Sequence, residues 1–198
     1  MNVEELAKRL PNGAYVIISP PLSGKKNFLI KLACLKPTIF ITTDSSPEEI
    51  IQKVKNNELY FIDCFTNNIG EDQPNTQNII RVPGPLALNE ISVALTQLET
   101  KMFKEEKEHF VIINSASTFL MYSNPQAIAR FLQVLLAKIK RTNGTAFVSI
   151  EEGMHDDKVL MLMKHLMDGA IMLKEENGKH FVFVKGIKEL EKWNDLEL

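Results

Sequence analysis

The sequence has almost no cysteine: two residues in 198, Cys34 and Cys64. That excludes a disulfide framework. Both thiols lie in apolar stretches and are expected as small buried hydrophobes. Long apolar runs are missing too. None exceeds five residues (Ala14 to Ile18, Val159 to Met163), far short of the ~18 of a membrane span. The opening stretch MNVEELAKRLPNG carries Glu4 and Glu5 and lacks the apolar centre of a secretory signal. There is no excess of one charge: 23 basic and 25 acidic residues leave a net −2, which argues against a dedicated nucleic-acid binder. Repeats and low-complexity tracts are also absent. What remains is ordinary globular composition, 44% apolar and 24% charged. At roughly 150 residues per domain, the expectation is one soluble intracellular domain over residues 1–198.

Short apolar runs alternate with helical patterns. AYVIIS (14–19), TIFITT (38–43), LYFIDC (59–64), FVIINS (110–115), TAFVSI (145–150), GAIML (169–173) and HFVFV (180–184) read as strands. Most are continuously apolar, as strands covered on both faces are. Between them, Ser46-Pro47-Glu48-Glu49 supplies an N-cap, a first-turn proline and first-turn acids. Asn124-Pro125 opens a helix with Ile128, Phe131, Leu132, Leu135, Leu136 and Ile139 on one face. Residues 89–104 repeat the pattern through Ile91, Ala94, Leu95, Leu98 and Met102, and its continuation Lys101 to His109 reads as a solvated helix end. Asp156 caps a segment with Val159, Leu160, Met163, Leu166 and Met167 on its inner face. The alternation predicts a three-layer α/β/α sandwich around a mostly parallel sheet. Asn177-Gly178, between the last two strands, predicts a closing antiparallel hairpin. Trp193, in the short mixed tail, is expected to fold back on the body.

In open α/β sheets, ligands bind beyond the carboxyl ends of the strands. The first such loop is Ser19-Pro20-Pro21-Leu22-Ser23-Gly24-Lys25-Lys26-Asn27. Gly24 and Lys25 fall on the Gly-Lys pair of a phosphate-binding loop, G-x-x-x-x-G-K-[ST]. Ser19 replaces the first glycine, and Lys26 replaces the hydroxyl that holds Mg2+. Leu22, Ser23, Gly24, Lys25, Lys26 and Asn27 are therefore the candidate nucleotide-binding residues, through backbone amides at a helix N-terminus and the Lys25 charge.

The segments FITTDSSPEEI, LYFIDC, FVIINSASTFLMY, ARFLQVLLAKIKRTNGTAFVSIEEGMHDD and KHLMDGAIML resemble the KaiC-like ATPases of the RecA superfamily, especially the single-domain archaeal members. The resemblance runs from about residue 13 to the C-terminus. It implies a RecA-like core, a cytoplasmic location, ATP or ADP as ligand with both of the family's Mg2+-holding positions altered here, and assembly through the nucleotide face, as a homo-oligomer or with a related RecA/KaiC-like chain. The family's metal-holding Asp-Ser maps onto Asn114-Ser115, so an amide replaces the carboxylate. Its general base, from a Glu-Glu pair, maps onto Asp44, one methylene shorter, with Ser45 in the other place. Its trans-acting basic residue maps onto Lys185, before Gly186.

Positions 19, 26, 45 and 114 all depart from the ATPase pattern. The expectation is a degenerate relative: a regulatory or assembly protein in signal transduction with weak or absent hydrolysis. The alternative is a working ATPase that uses Gly24, Lys25 and Asp44. Other features read as structure. Glu151, Glu152, His155, Asp156 and Asp157 match no zinc spacing and read as a loop after a strand. His109, His165 and His180 are scattered. The long polar stretch 65–85 has Arg81 as its only basic residue, so DNA contact is not expected there, although loops of that length are commonly functional or mobile.

Overall fold

The computed structural model describes residues 1–54, 58–102 and 107–198. Among the described residues nine strands form one sheet: β1 (Ala14–Ser19), β2 (Thr38–Thr42), β3 (Leu59–Asp63), β4 (Ile79–Arg81), β5 (His109–Asn114), β6 (Gly144–Glu151), β7 (Gly169–Glu176), β8 (Lys179–Lys185) and β9 (Asn194–Leu196). Their order is β4-β3-β2-β5-β6-β1-β7-β8-β9. Pairing is parallel from β4 through to β7. It is antiparallel between β7 and β8 and between β8 and β9. The expected closing hairpin is present, with Asn177 and Gly178 at φ 53° and 75°. Two successive positive φ angles are the backbone of a type I′ turn, for which Asn-Gly is the preferred pair.

The helices are α1 (Val3–Arg9), α2 (Lys25–Ala33), α3 (Pro47–Ile51), α4 (Leu88–Met102), α5 (Ala116–Tyr122), α6 (Pro125–Arg141) and α7 (Asp157–His165). They cover both faces of the sheet, which explains the continuous apolar strands. In β5, Val111 and Ile113 join one core with Ile91 and Leu95 of α4 and Leu132 and Leu135 of α6. Phe110 and Ile112 join the other, with Leu6 of α1 and Phe28 and Leu32 of α2. Ser46, Asn124 and Asp156 each accept a hydrogen bond from the backbone N–H three residues on, at 3.4, 3.0 and 2.8 Å. Among the described residues no helix is long and apolar enough to cross a membrane.

Four elements differ from the sequence expectation or extend it. Cys64 is buried, but Cys34 is exposed because it caps the C-terminus of α2 and faces away from the core. On α7 Met163 is fully buried, while Leu160 on the helix and Leu166 and Met167 just beyond its end are partly buried and pack against the same core. Helix α1 and strand β9 were not anticipated. They hold each other: the Met1 ammonium donates to the Asp195 carbonyl at 3.1 Å, and the Glu197 N–H donates to Met1 O at 3.0 Å. Trp193 does fold back, its ring 5.8 Å from that of Phe183, with the Lys174 ammonium 4.5 Å from its centre. Residues 103–106 of the expected solvated run lie outside the described residues.

The long stretch 65–85 is pinned. It forms a short 3-10 turn at Asn67–Ile69 and then β4. Arg81 points inward to Glu48, Asp63, Gln73 and the Pro74 carbonyl. The stretch's one basic side chain is thus spent inside the fold.

Candidate functional site

The carboxyl ends of β1, β2, β5 and β6 meet at one edge of the sheet. Chain leaving β1 turns through Pro20 and Pro21, and the Ser23 hydroxyl closes that turn onto the Pro20 carbonyl at 2.7 Å. Leu22 is 96% exposed at φ 62°. Gly24 follows at φ 85°, and its carbonyl accepts the first helical hydrogen bond of α2, from Phe28 N–H at 3.0 Å. Glycine is favoured here by the backbone first and by the neighbouring side chains second. The positive φ disfavours a side chain, and a Cβ would stand 2.5 Å from Leu198 Cδ1 and 2.9 Å from His180 Cε1.

Helix α2 begins with Lys25 and Lys26 and has no acid in its first turn. Cations there oppose the helix dipole and its free N–H groups. Carboxylates from elsewhere answer them. Glu151, the last residue of β6, pairs with Lys25, both side chains being mostly buried. Glu49 of α3 stands 3.5 Å from Lys26, both largely exposed. A cavity of about 500 Å³ opens beside the loop, with Pro20, Lys25, Asn27, Glu151 and Met154 in its wall.

The other candidates meet on the far side of β6. The Asn114 amide donates to Asp44 Oδ1 at 2.8 Å and accepts from Ser149 Oγ at 3.0 Å. Ser45 Oγ also donates to Asp44, at 3.1 Å. Ser115 is buried, and its N–H donates to Thr43 Oγ1 at 2.8 Å. Asp44 is exposed to solvent. Even so, desolvation by the surrounding protein raises its carboxyl above the usual range, against the pull of Lys25, the Ser45 hydrogen bond and Lys26, while Glu151 pushes it the same way as desolvation.

This sets a sign. An acid whose folded pKa is raised costs the folded state stability once it ionises, and the cost disappears as pH falls through the folded pKa toward the ordinary value. Asp44→Asn is expected to melt slightly above wild type at pH 7, by well under about 1 kcal/mol because solvent screens the exposed residue. The gap should close as pH falls toward 3.8. Paired thermal melts across pH check this, and a gap that widens on acidification would reverse the assignment.

The structure thus brings Lys25, Lys26, Asp44, Asn114 and Glu151 to one edge. Lys185 ends the antiparallel strand β8 opposite Ala170, at the start of β7. That is the opposite edge of the sheet, so Lys185 serves no such site within its own chain. Of the acidic cluster, Asp156 caps α7 and Glu151 serves Lys25; among the described residues no three His, Cys, Asp or Glu side chains gather as a metal site. His109 is buried, with Nε2 3.5 Å from Glu99. His165 is exposed at the end of α7. His180 packs beside Gly24.

Sequence reasoning missed the pairing role of Glu151 and the support from Ser117 and Ser149. Ser117 Oγ accepts the Glu151 N–H at 2.8 Å. The available signal was strand order: once β6 lies beside β1, Glu151 falls opposite Ser19, at the base of the loop.

Comparison with known proteins places this geometry. Residues 36–173 match the model of a family of unknown function, DUF7504. No curated protein matches the chain. Among solved structures, the uncharacterized protein PH0321 from Pyrococcus horikoshii, solved in complex with an unknown peptide, aligns with a TM-score of 0.64 at 18% identity, covering 97% of each chain. The KaiC-like protein PH0186 from Pyrococcus horikoshii OT3 aligns with a TM-score of 0.62 at 12% identity, covering 94% of this chain and 85% of that one. At such identities the likeness establishes the fold alone. The chain has a RecA/KaiC-like α/β fold and belongs to the DUF7504 family, a family of unknown function.

Proposed function

We propose that the whole chain, residues 1–198, acts as one RecA-like domain with a degenerate nucleotide site. It serves as a cytoplasmic regulatory or assembly protein, with another copy or a related RecA/KaiC-like chain as partner, and hydrolyses ATP weakly or not at all. One observation carries this reading: at the carboxyl end of β5, where the resemblance expects a metal-holding carboxylate, Asn114 spends its amide on Asp44 and Ser149.

The residues present suit a phosphate group better than a metal. The N–H groups at the start of α2 and the Lys25 ammonium are donors and charge that an ATP or ADP phosphate accepts. Mg2+ finds no such fit. Lys26 is a cation where a hydroxyl ligand is needed, and Asn114 brings no negative charge. The second reading, an ATPase with Asp44 as base, is favoured by the raised Asp44 carboxyl, since a base works best with a pKa near the operating pH. It is disfavoured by the Asn114 amide and the Ser45 hydroxyl, which both already donate to Oδ1 of that carboxylate.

Calorimetry with ATP and ADP, with and without Mg2+, tests the proposal, with Lys25→Ala as control. The expected result is weak binding that is lost in Lys25→Ala and indifferent to Mg2+, with no turnover. Mg2+-dependent hydrolysis abolished by Lys25→Ala would establish the ATPase instead. The paired change Lys26→Thr with Asn114→Asp is expected to create Mg2+ dependence. Removing one cation and adding one carboxylate should strengthen nucleotide binding in Mg2+ by about tenfold or more over binding without it. An unchanged metal response would mean that these two positions are not what the site lacks.

A further inference from the structure

We infer that Glu151 is an internal anion seated where a bound phosphate group would meet Lys25, and that it sets the affinity of the loop for polyphosphate ligands. The inference rests on the phosphate-loop reading above and deepens it by naming what governs the site.

Three independent features converge on Glu151. Its carboxylate pairs with Lys25, the more buried of the loop's two lysines, with both side chains mostly buried. Its backbone is held, since Glu151 pairs with Ser19 in register and its N–H is bound by Ser117 Oγ at 2.8 Å. It is therefore delivered to the loop by the sheet rather than by a mobile segment. Finally, Glu151 and Lys25 share the wall of the same cavity of about 500 Å³, together with Lys26 and Asn27. An anion has room to enter, and the carboxylate stands beside its point of entry.

The chemistry follows from charge. A carboxylate and a phosphate present the same kind of anionic oxygen to an ammonium group. They compete for one lysine, and two such anions within a few ångströms of each other repel strongly in a partly desolvated site. A polyphosphate therefore binds only by displacing Glu151 from Lys25. The wild-type site is self-satisfied, and its affinity is lowered by the strength of that pair. Glu151→Gln keeps the shape and a hydrogen-bond acceptor but removes the charge, leaving Lys25 available.

The test uses the full chain, with ATP and inorganic tripolyphosphate as probes, by calorimetry without Mg2+. Glu151→Gln is expected to bind both about tenfold or more tightly than wild type, and Lys25→Ala added to Glu151→Gln is expected to abolish the gain. Glu151→Ala is measured alongside and should show the same gain, so that a folding defect in one variant does not decide the outcome. Binding in the Glu151 variants no tighter than in wild type, including no binding in any of them, overturns the inference. A gain that survives Lys25→Ala overturns it as well, because the carboxylate would then be acting elsewhere. Hydrolysis is read separately on the same samples: Lys25-dependent turnover of MgATP by wild type would defeat the proposed function without touching the Glu151 comparison.

Discussion

Arg81→Ala is expected to cost about 3–5 kcal/mol of stability, the range for removing one partner of a buried ion pair. The Arg81 side chain is 3% exposed and that of Asp63 is not exposed at all. Arg81 Nε lies 3.3 Å from Asp63 Oδ2. Its two outer nitrogens reach Glu48 at 2.7 Å, the Pro74 carbonyl at 2.6 Å and Gln73 at 3.2 Å. Asp63 Oδ1 accepts the N–H groups of Phe65 and Thr66 at 2.9 and 3.0 Å. Alanine leaves the other carboxylate oxygen of Asp63 buried without a counter-charge, and it frees the chain between β3 and β4 from its anchor. For a chain of this size, with ~2–4 °C lost per kcal/mol, the melting temperature should fall by about 6–20 °C. Limited proteolysis should open between residues 65 and 78. Arg81→Lys keeps the charge but not the planar fork, so it should lie between the two. A loss under about 1 kcal/mol would mean that Asp63 finds water or another donor, and that the stretch is not held from Arg81.

Phe147→Ala should be as damaging, at about 3–5 kcal/mol. Phe147 is 1% exposed on β6, the strand between β1 and β5. Its ring stacks on Tyr15 at 5.9 Å and meets Phe110 edge-on at 5.1 Å. Truncation opens a cavity among three neighbouring strands whose hydrogen-bonded register limits how far they can close in. Denaturant unfolding measures it, with Phe183→Ala as comparison. Phe183 is half-buried on β8, next to the edge strand β9, and should cost much less. Equal losses at the two positions would mean that the β1–β6–β5 centre is no better packed than β8.

The same contrast runs through what could be read in advance. Every strand with a continuous apolar run was legible, because burial on two faces leaves no polar alternation. Strands β4 and β9 were not, since three residues each carry too little pattern. Helix α1 had a visible cap, Asn2 with Glu5 three residues on, whose reciprocal hydrogen bonds are 3.2 and 2.8 Å; the signal was there and went unread. Cys34 was misjudged because apolar neighbours describe a segment, while exposure depends on which way one residue of a helix end faces.

In the candidate site, Gly24 and Lys25 stood out by spacing, because the loop that carries them is a local object made by consecutive residues. The residues that answer them are far away in sequence. Lys25 and Glu151 are 126 positions apart, and Asp44 and Asn114 are 70 apart. Nothing in the spacing of either pair announces contact.

By itself, then, the sequence determined the seven continuously apolar strands, the capped helices after Ser46, Asn124 and Asp156, and the Asn177-Gly178 turn, because these depend on side-chain periodicity and backbone preference within a few residues. It determined the loop and its departures from the ATPase pattern for the same reason. Only the tertiary structure decided the strand order. That order sets β6 between β1 and β5, turns Arg81 inward and brings Glu151 to Lys25. These outcomes depend on which elements share a core, a choice made by long-range burial and by pairing charges away from water, and no local pattern carries it.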